Sequence, residues 1–254
     1  MQPNAGEKVR LLGYNMIVVH DPPELLVITQ PDHARLAAAL LSLWIRDGLP
    51  DHPRRENLLF ATREHDNGWR ETDAAPRYDV VGQKPFDFAS FPKSNRLEIW
   101  QRGIERFSQE RPYVALLIAH HAESLFRHSS VAPDGWQEYV GMLEDHRQEW
   151  FETAAINQRV LDQDYPFLQT ADLLSLAVCD RWQETIDAGL VRASVADTVL
   201  RLSPFPLAGA TTLQVPCRRI PNRPYRGDAD LGGELATARW GELAVRVVPG
   251  PAEP

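Results

Sequence analysis

Cysteine is scarce in this chain of 254 residues: there are two, Cys179 and Cys217. So few thiols, so far apart in sequence, rule out a thiolate metal box and fit a reducing compartment. Positive charge is also short. Lys and Arg number 27 against 35 Asp and Glu, for a net charge of −8. Such a balance offers no basic footprint, so binding to a nucleic acid backbone is not expected. Uncharged apolar runs of about 18 residues are missing, and with them any expected membrane span. Met1 to Arg10 is polar with mixed charge and lacks a signal-peptide core. Together these absences lead to the expectation of a soluble cytoplasmic protein. What the chain does have is an ordinary apolar content of 43%, enough for one sizeable core.

No internal repeat or low-complexity tract is visible. Met16 to His20 and Glu24 to Thr29 are short Val/Ile-rich runs separated by Asp21-Pro22-Pro23, the pattern of a β-hairpin. Pro31-Asp32 then starts a helix, where a missing proline N–H costs nothing, and Gly48 stops it after about Asp47. A second helix is predicted over roughly Arg54 to Asp66, with Gly68 as its end. Pro76, Gly82, Pro85 and Pro92 mark residues 70–92 as a long loop, a common seat of function. Further helices are predicted at about 94–108, 112–127, 134–162 and 167–188, with a break or bend in the 134–162 stretch.

After Ser203 the texture changes to short apolar segments between prolines, such as Thr211 to Val215 and Leu243 to Val248. The expected architecture is mainly α: a helical core over about 30–190, and a small β-sheet from the N-terminal hairpin (14–29) and a β-rich C-terminal extension (203–250). Residues 1–254 read as one domain, because a separate C-terminal β domain would have a meagre core.

The chemistry lies in Glu64-His65-Asp66-Asn67, where two metal-ligand residue types stand side by side at a helix end. Three more placements add to it. His33 opens one apolar helical run, His120-His121 interrupts another, and Asp172 sits inside a third. Helical spacing puts His121 on the apolar face with Val114, Leu117, Ile118 and Leu125, whereas His120 falls nearer the polar boundary. Asp172 shares a face with Leu168, Leu176 and Cys179, and a carboxylate there needs a compensator: a metal ion, a buried Arg or a helix N-terminus.

Read singly, His33 is a cap or surface histidine and His121 a hydrogen-bonded core histidine. Read jointly, His33, His65, Asp66, His121 and Asp172 form a mixed imidazole and carboxylate set within a helical core. Such a set suits Mn, Fe, Co, Ni or Zn. His20 and His52 lie beside turn prolines and read as solvated, His146 lies on a charged helix face, and His128 stands at a helix end near the His121 face.

The order His, His-Asp, His-His, Asp resembles the HD-domain superfamily of metal-dependent phosphohydrolases. The stretch Arg63 to Trp69, with Thr29-Gln30-Pro31-Asp32-His33 upstream, looks like a bacterial branch known only as a domain of unknown function. The resemblance covers roughly residues 25–190. It implies a helical fold in which His33, His65, Asp66 and Asp172 ligate a metal. His121 resembles a ligand of a second metal, where Mg is an alternative. Adjacent histidines point about 100° apart on a helix, so His120 and His121 do not easily share one ion, and a mononuclear site is the simpler outcome.

The resemblance further implies phosphohydrolase chemistry on a small phosphorylated molecule, a phosphate ester or nucleotide-like compound. Asp66 would both ligate and orient, and Arg70 and Lys93 would clamp phosphate, with Arg63, Lys84 and Arg96 as further cations. Trp69 and the segment Phe86 to Phe91 would supply apolar walls. The same superfamily contains di-iron oxygenases, which gives a second enzyme class. A non-catalytic, metal-stabilised binding module is a third reading.

Overall fold

The computed structural model describes residues 16–87, 95–127 and 135–251. Strands β1 (Ile17–Asp21) and β2 (Glu24–Ile28) form the hairpin expected around Pro22-Pro23, with Ile17 opposite Ile28. Leu25 to Ile28 of β2 form an unbroken apolar run because both faces of the strand are covered. Leu26 and Ile28 join the main core, while Leu25 and Val27 enter a second cluster with Met16, Tyr78, Ile220 and Leu231. Thr29 then caps α1 (Gln30–Ser42) by accepting from the Asp32 N–H, and Pro31 occupies its first turn. This helix ends one turn earlier than predicted. Asp47 and Gly48, at φ 58° and 75°, belong to the turn beyond it.

Next come α2 (Arg55–Glu64), a single 3-10 turn (Asn67–Trp69), α3 (Arg70–Ala74), and a two-residue hairpin of β3 (Tyr78–Asp79) and β4 (Lys84–Pro85). The long loop predicted over 70–92 thus carries a short helix and a small hairpin as far as Pro85. Gly68 is no left-handed helix stop. It lies where the 3-10 turn crosses α4 (Arg96–Ser108), and a Cβ on it would stand 2.0 Å from the Ile99 carbonyl oxygen. α5 (Pro112–Arg127) has the predicted limits. The expected break after α6 (Trp136–Ala154) falls at Ala155, in left-handed conformation at φ 53°. Asn157 then caps α7 (Gln158–Cys179), which starts and ends about nine residues before the predicted 167–188 helix.

The mainly α expectation is overturned by the sheet, which is neither small nor confined to the two chain ends. Strands β5 (Ile186–Asp187), β6 (Arg192–Ala196), β7 (Val199–Ser203), β8 (Thr211–Pro221) and β9 (Trp240–Pro249) join the N-terminal hairpin, with α8 (Asp228–Thr237) between the last two. The seven strands lie in the order β1-β2-β8-β9-β7-β6-β5, antiparallel throughout except for β7 against β9. The protein is α/β rather than all-α. Residues 186–203 supply three strands whose inward residues, Ala193, Val195, Leu200 and Leu202, alternate with polar ones at the period of two that strands require.

One face of this sheet carries α1 and α7, and α2 and α5 pack behind them. A single apolar cluster runs from the helices into Val215, Val245 and Val247 of the sheet. Among the described residues, no helix is long and apolar enough to cross a membrane.

Candidate metal centre

Four packed elements bring the sequence-predicted residues together. α1 supplies His33 from its first turn, the end of α2 supplies His65 and Asp66, α5 supplies His121, and α7 supplies Asp172. All five side chains are buried, with none more than 2% exposed. Asp172 lies in mid-helix, seven residues from the end of α7, so an N-cap role is excluded.

The distances form a continuous chain from His33 to His121. His33 Nε2 is 2.8 Å from Asp66 Oδ2. His65 Nε2 is 3.1 Å from Asp172 Oδ1 and 3.5 Å from Asp66 Oδ2. His121 Nε2 is 3.7 Å from the other Asp172 oxygen, Oδ2. The three imidazoles meet edge to face, with centroids 5.2 Å apart for His33–His65 and 5.1 Å for His65–His121.

Backbone and hydroxyl partners fix the tautomers. His65 Nδ1 is 2.7 Å from the Thr62 carbonyl oxygen, which can only accept, so Nδ1 carries the proton. His33 Nδ1 is 2.9 Å from Ser175 Oγ, and that hydroxyl gives its one hydrogen to the Asp172 carbonyl at 2.9 Å. His33 Nδ1 therefore donates as well. In both neutral rings the Nε2 lone pair then faces a carboxylate oxygen, an arrangement that is repulsive unless a cation lies between them.

At His65, without a metal, that cation is a proton. Burial alone would push the His65 pKa down, but the Asp66 charge and the Asp172 hydrogen bond and charge hold it up at about 9. Burial would raise Asp172, yet the hydrogen bond from His65 and the nearby imidazoles hold it below the usual carboxylate value. His121 behaves oppositely. Burial lowers it to about 4, the Asp172 carboxylate not offsetting this, so it stays neutral.

A metal ion fits this donor set. Neighbouring donors about 2.1 Å from a tetrahedral or octahedral ion are roughly 3.0–3.4 Å apart, close to the spacings seen here. Donor atoms of His33, His65 and Asp172 lie within 4.8 Å of one another, and this group can hold an ion. Two buried donors, Asp66 Oδ1 and His121 Nε2, have no hydrogen-bond partner. The mixture of imidazole and carboxylate suits Mn, Fe, Co, Ni or Zn.

Other predicted residues lie elsewhere. His120 points toward Asp162 at 4.0 Å and packs edge-on against Tyr165. Arg70 is paired with Glu64 and about half exposed, lining a separate cavity. Arg63 also pairs with Glu64, and Lys84 lies near Asp87 at 3.8 Å. Arg96 is buried at the start of α4, and Trp69 is a core residue. Phe86 packs against the core, while Phe91, Lys93 and His128 lie outside the described residues. His52 is not solvated: its Nε2 is 3.0 Å from Asp164, which also accepts from Arg54 Nε and the Tyr113 hydroxyl, both at 2.7 Å.

Sequence reasoning missed the residues that orient the rings: Thr62, Ser175 and Tyr165, whose hydroxyl is 3.1 Å from His121 Nδ1. Two of these carried a signal. Thr62 precedes His65 by three residues and Ser175 follows Asp172 by three, one helical turn in each case.

The fold and the cluster together define an α/β protein with a buried His/Asp centre capable of holding a metal. The chain belongs to the family described as "Protein of unknown function (DUF3891)", whose model matches residues 16–222 and so takes in the whole cluster. Comparison with curated proteins and with solved structures gives no match. The family match carries no assignment to the HD superfamily.

Proposed function

We propose that the protein binds a divalent transition metal through His33, His65, Asp66 and Asp172, with His121 at or next to the ion, and uses it to hydrolyse a small phosphorylated molecule. The observation that carries the metal reading is the pair of Nε2 lone pairs, on His33 and His65, held against carboxylates by the hydrogen bonds to Ser175 and Thr62. Bound there, a metal would supply a low-pKa water and polarise a phosphoryl oxygen. The chain's own part is to hold the imidazoles in fixed tautomers, to keep Asp172 ionised, and to exclude bulk water from the centre. The ordered His, His-Asp, Asp pattern is what supports hydrolysis as the reaction. The substrate class is that of the HD-like pattern.

Burial favours a second reading, a structural metal. Structural sites are closed, whereas catalytic sites keep a position open, and all five candidate donors here are at most 2% exposed. One experiment separates the two. Purified protein is analysed for metal, then assayed on a phosphoester panel with added Mn, Fe, Co, Ni or Mg, with and without oxygen. Oxygen-independent hydrolysis that is lost on chelation supports the enzyme. Stoichiometric metal with a large loss of thermal stability on chelation, and no turnover with any ion, leaves the structural role. Turnover that requires iron and oxygen would overturn the hydrolase reading in favour of an oxygenase.

A further inference from the structure

A cavity of about 400 Å³ lies between the N-terminus of α1, α3, α8 and the ends of β8 and β9, and none of the five candidate ligands lines it. Its volume falls within the range of small-molecule sites. Two of its walls carry buried polar atoms with no hydrogen-bond partner. Asp73 is 5% exposed; its Oδ2 accepts from the Gln30 N–H at 2.8 Å, while Oδ1 has no hydrogen-bond partner. Arg218 Nη1 donates to the Leu235 carbonyl at 3.0 Å and its guanidinium lies 4.6 Å from the Trp240 ring centroid, while Nε is unpartnered.

The charges around the cavity are unequal in kind. Arg35 is paired with Asp32, and Arg70 with Glu64. Among the described residues Arg218 has no carboxylate within ion-pair distance, so it is the cation on the wall left to meet an outside anion. Beside it Trp240 is 60% exposed, an unusual state for an indole, and Pro31, Pro76 and Leu235 continue the apolar surface.

We propose that this cavity binds a small organic anion with a flat apolar body and an N–H or O–H donor. The acidic group meets Arg218, with Arg35 and Arg70 at the rim. The body lies against Trp240 and Leu235, and the donor satisfies Asp73. A carboxylate or a phosphate monoester each provides the acidic group. The site is independent of the metal reading, although it adjoins the helix that carries His33. The Asp73–Gln30 hydrogen bond anchors the first turn of α1, three residues before His33.

The test is calorimetric titration of the full chain with guanosine 5′-monophosphate, indole-3-carboxylate and inorganic phosphate. At least one of the two organic anions is expected to bind one per chain with Kd below about 1 mM, and more tightly than inorganic phosphate. Which one binds tells phosphate from carboxylate. Arg218→Gln is expected to weaken that binding at least about tenfold, as loss of a charge-assisted contact does. Its metal content should match that of the parent, which sets a failure here apart from a failure at the metal centre. Trp240→Ala removes an exposed side chain and so provides a second variant if Arg218→Gln folds poorly; it too should weaken binding several-fold. The proposal is overturned if neither organic anion binds, if inorganic phosphate binds as tightly, or if the folded variants bind as the parent does.

Discussion

His65 Nε2 lies 3.1 Å from Asp172 Oδ1, and in the neutral ring it turns a lone pair to that oxygen, because the opposite ring nitrogen is committed to the Thr62 carbonyl. The contact therefore calls for a cation, and whether that cation is a proton or a metal is measurable.

In the metal-free protein the proton takes the place. Burial lowers the His65 pKa, but Asp66 and Asp172 overcome this and raise it from 6.5 to about 9. A raised histidine contributes stability that is complete below pH 6.5 and is lost as pH rises through 9. His121, lowered by burial to about 4, has the opposite sign: its contribution is present above pH 6.5 and is lost as pH falls through 4. Chelated protein should accordingly lose stability on either side of about pH 6.5, read from urea midpoints across a pH series. Metal-loaded protein should not lose stability on the alkaline side, and ion binding near pH 7 should release protons, visible as a buffer-dependent heat.

Asp66→Ala deletes a donor and the negative charge that balances the cation. Metal content measured by plasma emission should fall to background, and any phosphoester turnover with it. Ser175→Ala is milder, since it only frees His33 to rotate. It should weaken metal affinity by about 10–100-fold in a competition assay with a chelator. Unchanged affinity in both variants would refute the site.

Gly68→Ala tests the crossing behind the centre. The added Cβ would meet the Ile99 carbonyl at 2.0 Å, and backbone must move to admit it. Overpacking of this kind costs about 1–3 kcal/mol or more, and denaturant unfolding should show a loss at or above that range. The 3-10 turn follows Asp66 directly, so metal affinity should fall in the same variant.

Asp164→Ala addresses a buried carboxylate that serves structure. Removing it leaves Arg54, His52 and Tyr113 without their shared acceptor. Arg54 is partly exposed and can rehydrate, so the loss should lie near the low end for a broken buried pair, about 3 kcal/mol. Metal content should be unaffected, because Asp164 contacts none of the candidate ligands.

The cluster was more legible in the sequence than the fold was. Helical periodicity placed His121 on an apolar face and Asp172 inside a helix, and a buried carboxylate demands a reason that local sequence can show. The sheet was underestimated because β6 and β7 are five residues each, with Ala, Ser and Arg among their inward and outward positions, so their alternation is faint. Pairing across the sheet is also non-local: β2 is bonded to β8, whose residues follow some 190 positions later, as in Leu25 opposite Ile220. No window of local pattern contains that information. His52 was misread for a similar reason, since its partner Asp164 lies 112 residues away.

The pairing of β2 with β8 also bears on when the centre can be assembled. His33 enters directly from β2, and β2 sits between β1 and a strand made of residues 211–221. During synthesis the first candidate ligand therefore emerges long before the strand that flanks its scaffold. A nascent chain arrested near residue 200 would carry His33, His65, Asp66, His121 and Asp172, yet would lack the neighbour that seats α1. An ion held at this centre would then be captured only once the C-terminal strands have left the ribosome.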